Sequence, residues 1–137
     1  MDTVRWGIIG CGNVCEVKSG PAFYKVENSR LVAVMRRDVA KAADFAQRHN
    51  VPKWYSSAEE LLADAQIDAV YIATPPSSHK DYALMALKAG KAVYVEKPMA
   101  LTHEECMEMV RASEEVGKPI FVAHYRRGLP YFIKVKE

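Results

Sequence analysis

The sequence predicts an α/β fold, a doubly wound parallel sheet in a single domain, and three observations carry that expectation. Short apolar runs alternate with amphipathic or alanine-rich stretches along nearly the whole chain. The first apolar run breaks directly into a glycine turn, Gly10-Cys11-Gly12, that leads into a helical stretch. At 137 residues, half of them hydrophobic, the chain buries one full core. Strands that alternate with helices pair in parallel through right-handed crossovers, the Rossmann arrangement, and such sheets bind ligands outside the carboxyl ends of their strands. Functional residues are therefore expected just after strands.

Val4 to Ile9 is the first strand, and a helix is expected from near Asn13 once the turn Gly10-Cys11-Gly12 is complete. Arg30 to Met35 is a β-rich second strand, and Asp38 heads a helix from Val39 to His49 rich in alanine and long polar residues. Pro52 ends that helix region, Lys53 to Tyr55 forms a brief third strand, and Ser57-Ala58-Glu59-Glu60 is a capping box that opens a helix through Ala65. Ala69 to Ala73 is a compact fourth strand. Thr74-Pro75-Pro76-Ser77-Ser78-His79 follows as a loop before a helix from Lys80 to Ala89, which Gly90 stops. Ala92 to Val95 is the fifth strand. Thr102-His103-Glu104-Glu105 is a second capping box, its helix runs to Val116, and Gly117 with Pro119 ends it before the sixth strand, Ile120 to Ala123. Residues 1–128 form the domain, and residues 129–137 read as the start of a linking helix.

Composition excludes several function classes. The net charge of +2 comes from nearly balanced acids and bases with no basic block, which disfavours nucleic acid and anionic membrane surfaces as partners. No apolar run approaches the roughly 20 residues of a membrane span, and the N-terminus lacks the pattern of a signal peptide, so a cytoplasmic protein is expected. Cys11, Cys15 and Cys106 are odd in number, and Cys11 and Cys15 stand four apart with no histidine or carboxylate accompanying them at metal-ligand spacing. They read as small reduced residues, and no metal site is expected.

The strand ends carry the candidate chemistry. Gly10 permits a sharp turn, Gly12 lets a phosphate approach the backbone, and a helix opening at Asn13 and Val14 aims its positive end at a dinucleotide pyrophosphate. Cys15 stands where a third glycine is common, a position that needs only a small side chain. Glycine turns also occur where no ligand binds. Arg36-Arg37-Asp38 follows the second strand at the position where such folds read the adenosine ribose. A guanidinium there pairs a 2′-phosphate bidentately and favours NADP; in the competing reading the arginines are solvated and Asp38 grips an NAD ribose or caps its helix. Thr74-Pro75-Pro76 makes a rigid turn with few amide donors, either a wall for a flat nicotinamide ring or an ordinary loop. His79 either faces the cofactor or is structural. At Glu96-Lys97-Pro98, the lysine is the candidate catalytic residue, exchanging a proton with a hydroxyl while the cofactor takes hydride, and the glutamate accepts hydrogen bonds from a ribose. The alternative is an exposed ion pair. Lys97-Pro98 is also a candidate cis bond.

Gly10-Cys11-Gly12-Asn13, Ala73-Thr74-Pro75 with His79, Glu96-Lys97-Pro98 and Tyr125-Arg126 together resemble the glucose-fructose oxidoreductase and inositol dehydrogenase family, Gfo/Idh/MocA, over nearly the whole chain. The Glu-Lys-Pro motif is the specific part; the glycine turn is shared with many unrelated dehydrogenases. The resemblance implies a nicotinamide-dependent oxidoreductase acting on sugars, polyols or related cyclic alcohols. It implies that Glu96 sits near the nicotinamide ribose, Lys97 beside the reacting carbinol, Thr74 and Pro75 along the nicotinamide, and Arg126 toward the substrate; Tyr125 and Arg127 are weaker matches. Members of the family carry a second α/β domain that covers the cleft. This sequence ends at Glu137 and is expected to be an isolated first domain, inactive alone, with Tyr131 and Phe132 favouring self-association and the complete protein a homo-oligomer. Two other classes compete: a dinucleotide-binding sensing module that never turns its ligand over, and an S-adenosylmethionine methyltransferase, which leaves Glu96 and Lys97 without a role.

Overall fold

Val4–Ile9 (β1), Ser29–Met35 (β2), Lys53–Tyr55 (β3), Ala69–Ile72 (β4), Ala92–Glu96 (β5) and Ile120–Ala123 (β6) pair in parallel in the spatial order β3-β2-β1-β4-β5-β6. The order is that of a computed structural model, which describes residues 2–12, 15–16 and 19–123. The chain winds outward from β1 in one direction, returns to β4, and winds outward in the other. The reversal between β1 and β4 opens a crevice at the carboxyl edge of the sheet. Register aligns that edge: Ile9 lies opposite Met35 and Ile72, and Ile72 opposite Val95. Gly10, Arg36, Ala73 and Glu96 thus leave the sheet at nearly the same level.

Alternation along the strands builds a core on each face. On one face Ile9, Ile72 and Val95 pack against Leu61 of Ala58–Leu62 (α3), Ala83 and Leu87 of His79–Lys88 (α4), and Met109 of His103–Val116 (α5). On the other, Ile8, Val34 and Tyr71 pack against Phe23 of Ala22–Lys25 (α1) and Phe45 of Val39–Arg48 (α2). Burying each of these large side chains contributes about 1.5–3 kcal/mol.

The caps follow the sequence closely. Asp38 Oδ1 accepts the N–H groups of Ala40 and Lys41 at the head of α2, and Ser57 Oγ accepts that of Glu60 at the head of α3. Thr102 Oγ1 accepts the Glu105 N–H, while the Glu105 carboxylate reaches back to the N–H of Leu101, one residue beyond the cap itself. Gly90 and Gly117 follow α4 and α5 with φ of 78° and 69°, as helix-terminating glycines do.

Several expected boundaries move by one residue: β2 begins at Ser29, α2 ends at Arg48, β4 ends at Ile72, α4 ends at Lys88 and β5 ends at Glu96. Two helix boundaries have a local cause. The helix headed by Ser57 ends at Leu62 rather than Ala65, because Asp64 turns the chain out of it. Asp64 Oδ1 accepts the Gln66 N–H, Oδ2 accepts from Lys53 Nζ and Tyr55 OH, and the buried Lys91 amine donates to the carbonyls of Asp64 and Ile67. The helix expected from Lys80 begins at His79, preceded by a 3-10 turn over Pro76–Ser78. The helix start near Asn13 and Val14 and the linking segment 129–137 lie outside the described residues. Among the described residues no helix is long and apolar enough to cross a membrane.

Candidate functional site

The glycine turn is shaped by two different constraints. Gly10 has φ 90°, and a Cβ there would lie 2.7 Å from Thr74 Cγ2 and 3.2 Å from the Ala73 carbonyl carbon, so both conformation and space require glycine. At Gly12 a Cβ would meet no atom within 4 Å. The protein itself does not need glycine at that position, and the open side of Gly12 borders a cavity of about 360 Å3. The N–H groups of Gly10 and Cys11 donate to the Met35 carbonyl and that of Gly12 to the Gly10 carbonyl. These three amides are thus committed within the protein, two to the end of β2 and one inside the turn. Cys15 is fully buried, with its thiol 3.7 Å from the Gly10 carbonyl, the small packing residue expected there. Burial pushes the Cys11 and Cys15 thiols up to about 11 and about 12, so both stay protonated at neutral pH.

Arg36, Arg37 and Asp38 line the same cavity, beside Thr74 and Pro75. Residues from the ends of β1, β2 and β4 therefore meet around one space at the switch point, as the strand-end rule requires. Two further lining residues, Lys41 and Tyr82, escaped the sequence reading. Lys41 had a signal: three residues after the cap Asp38, it stands in the first turn of α2, next to the cleft. Tyr82 had none, because its place depends on how α4 docks against the sheet.

The lysine turn is built differently. Glu96 ends β5 with both carboxylate oxygens engaged: Oε1 accepts the Tyr71 hydroxyl at 2.8 Å and Oε2 the Lys97 N–H at 3.0 Å. The Lys97-Pro98 bond is cis, and the Lys97 side chain is exposed. Glu96 and Tyr71 face a second cavity of about 780 Å3, walled by Trp6, Phe23 and Tyr94, and not the one beside the glycine turn. His79 corrects the reading of it as a cofactor contact. Its ring has no exposed surface, with Nε2 2.7 Å from the Thr74 carbonyl oxygen and Nδ1 2.9 Å from that of Pro98. It supports the wall from behind. Arg126, with Tyr125 and Arg127, lies outside the described residues, as do Asn13 and Val14.

The cavity at the switch point suits a dinucleotide: one glycine face stands open, the ribose end carries cations, and a proline-stiffened wall closes the third side. Residues 4–124 match the model of the Gfo/Idh/MocA oxidoreductases, described as an oxidoreductase family with an NAD-binding Rossmann fold. The chain belongs to this family. An oxidoreductase from Formosa agariphila is 59% identical over 134 residues, which cover 98% of this chain and 42% of that protein. The trans-1,2-dihydrobenzene-1,2-diol dehydrogenase of Mus musculus is 37% identical over 139 residues, covering 98% and 40%. Among solved structures, a 3-ketoreductase from Actinomadura kijaniata in complex with NADP and TDP-benzene superposes with a TM-score of 0.94 at 25% identity, over 98% of this chain and 41% of that one. An NAD-binding protein from Listeria innocua gives 0.88 at 33% identity, over 99% and 40%. The chain thus spans about two fifths of the length of these Gfo/Idh/MocA relatives.

Proposed function

We propose that this chain holds the cofactor of an NADP-dependent oxidoreductase that moves hydride between the nicotinamide and a sugar, polyol or related cyclic alcohol. The observation that carries the reading is the cavity at the switch point, with Gly12 open on one side and Arg36, Arg37 and Lys41 grouped at the ribose end. A nicotinamide dinucleotide, when bound, supplies the hydride donor or acceptor. With the amides of Gly10, Cys11 and Gly12 committed within the protein, Asn13 and Val14 are the residues we assign to the pyrophosphate. Arg36 pairs the 2′-phosphate, with Arg37 and Lys41 adding charge, while Asp38 commits one oxygen to capping α2. Thr74 and Pro75 bear on the nicotinamide and Arg126 on the substrate side. Lys97 passes a proton to or from the reacting oxygen, and Glu96 keeps a second lone pair on each oxygen for a ribose hydroxyl.

A diol dehydrogenase and a ketoreductase among the relatives support an alcohol–ketone interconversion as the reaction class. The free thiols fit a reducing, cytoplasmic setting, and we take the working protein to be a homo-oligomer that requires a cleft-covering second domain. On that reading these 137 residues bind cofactor but do not turn over a polyol. A second reading, a non-catalytic dinucleotide-binding module, is favoured by one observation: both Glu96 oxygens already have partners within the protein.

Calorimetric titration with NADPH and NADH tests the assignment. NADPH is expected to bind more tightly, and equal affinities overturn the phosphate reading. Failure to bind either cofactor overturns the whole.

A further inference from the structure

The turn that carries Lys97 is tied down at both ends by side chains from a single neighbouring unit, β4 with its following loop and α4. At the near end is Tyr71, fully buried, with its ring between Phe23 (centroids 5.1 Å apart) and Tyr94 (5.5 Å). Its hydroxyl donates to Glu96 Oε1, and Glu96 Oε2 holds the Lys97 N–H. The carboxylate thus bridges a core phenol and the backbone of the exposed lysine. At the far end is His79, also fully buried, whose ring spans the carbonyl oxygens of Pro98 and Thr74. Tyr71 lies directly opposite Tyr94 in the β4–β5 register, so Glu96, two residues further on, is its diagonal neighbour, within reach of a long aromatic side chain. Burial is the main reason the Tyr71 phenol titrates well above its ordinary value, which keeps it a donor through the neutral range.

We propose that Tyr71 and His79 are positioning residues that clamp the Glu96-Lys97-Pro98 turn to the Thr74-Pro75 wall, so that the Lys97 amine is delivered at a fixed place relative to the cofactor. The clamp rests on the functional reading only for its purpose, since its geometry is independent of what binds. A Tyr71 that serves only as a core ring gives the same burial but does not influence Lys97.

Two measurements separate these cases. In the 15N-labelled chain, Tyr71→Phe is expected to shift the Lys97 backbone amide signal and speed its hydrogen exchange about 10-fold or more, the scale of a lost hydrogen bond to a charged group, with NADPH affinity within about twofold. An unchanged Lys97 amide overturns the clamp. His79→Gln is expected to move the Lys97 and Thr74 amides together, and movement of either alone overturns the coupling. Should Tyr71→Phe fail to fold, Glu96→Ala reads the same relay from its outer end, because alanine offers the Lys97 N–H no side-chain oxygen; an undisturbed Lys97 amide again overturns it. In the active protein, Tyr71→Phe is expected to lower kcat about 10-fold with the alcohol KM nearly unchanged, and to cost nothing further in a Glu96→Ala background. Full additivity overturns the relay. A moved amide, together with no hydride transfer by the complete protein, leaves the clamp standing and overturns the functional reading instead.

Discussion

The glycine turn and the lysine turn are held by different physics. Around the glycine turn and ribose edge, the determinants are backbone conformation and exposed charge: the positive φ of Gly10, the open face of Gly12, and the cations Arg36, Arg37 and Lys41. Around Lys97 they are polar contacts of buried side chains, the Tyr71 hydroxyl donating to Glu96 and a His79 ring nitrogen 2.9 Å from the Pro98 carbonyl oxygen. The first kind of site adjusts its ligand preference by exchanging surface residues at little cost to the fold. The second depends on groups whose loss leaves a buried partner unsatisfied, and it is correspondingly less adjustable.

The largest effect expected on the lysine side is on rate. In the active protein, Lys97→Ala should leave folding and NADPH affinity nearly unchanged while turnover falls about 10²–10⁴-fold, the range of general acid–base assistance. Lys97→Arg should fail as well, since a guanidinium stays protonated and is shaped for bidentate pairing rather than proton exchange. Steady-state turnover measured beside cofactor affinity checks both variants. Near-normal turnover in Lys97→Ala returns Glu96 and Lys97 to a structural role and erases the functional side of the comparison.

On the glycine side, a pair of substitutions separates fold from binding. Gly10→Ala imposes a positive φ on alanine and sets a methyl against Thr74 and the Ala73 backbone; a loss of about 3 kcal/mol, the upper end of local backbone strain, is expected in denaturant melts. Gly12→Ala meets no protein atom and should leave the melt unchanged while weakening the dinucleotide. A stable Gly10→Ala variant, or an unstable Gly12→Ala variant, contradicts the division of labour between the two glycines.

The same contrast explains what the sequence made legible. The alternation, the parallel doubly wound sheet, the caps at Asp38, Ser57 and Thr102, and the clustering of Gly10, Gly12, Arg36 and Thr74 all follow from local rules of periodicity, turn chemistry and strand ends. What escaped was non-local. Tyr71 reads as one apolar residue in the strand expected over Ala69 to Ala73, and only the register with β5 brings its hydroxyl to Glu96. His79 was open between cofactor contact and support because a first-turn histidine is compatible with both, and only the packing of the Pro98 turn decides. The early end of α3 was hidden for a like reason: Asp64 is engaged by Lys53 and Tyr55 from β3.

A smaller effect sharpens the ribose edge. Arg36→Ala should cost about 1–3 kcal/mol on NADPH binding and almost nothing on NADH, as expected for a charge-assisted hydrogen bond to a phosphate. Lys41→Ala, being exposed, should cost less and lose its effect at high salt. Titrations with both cofactors at two ionic strengths check this, and an Arg36→Ala variant that weakens both cofactors alike removes the arginine from specificity.

The smallest expected effect concerns how the glycine side is fastened to the rest of the sheet. Glu16, just beyond the turn, accepts from Arg48 Nη1 and Nη2 at 2.9 and 2.5 Å and lies 2.8 Å from His49 Nε2, at the end of α2. The Arg48 guanidinium, aided by His49, holds the Glu16 carboxyl down at about 2, against an ordinary 4.5. A carboxyl depressed in the folded state stabilises it fully above about 4.5 and loses that contribution as the pH falls toward 2. Glu16→Gln should therefore lower the melting temperature by a few degrees at neutral pH, and the two melting curves should converge by about pH 2. The Arg48 side chain is 49% exposed and that of Glu16 29%, so screening limits the contribution to about 1 kcal/mol or less, and added salt should shrink it further. The comparison gives the sharper readout. The Cys15 amide, which donates to the Gly12 carbonyl, should lose exchange protection in Glu16→Gln, whereas the Lys97 amide, held through Glu96 and the buried Tyr71, should not. Equal loss at both amides would mean that the two turns open as one unit, and that the surface cluster fastens the whole carboxyl edge rather than the glycine side alone.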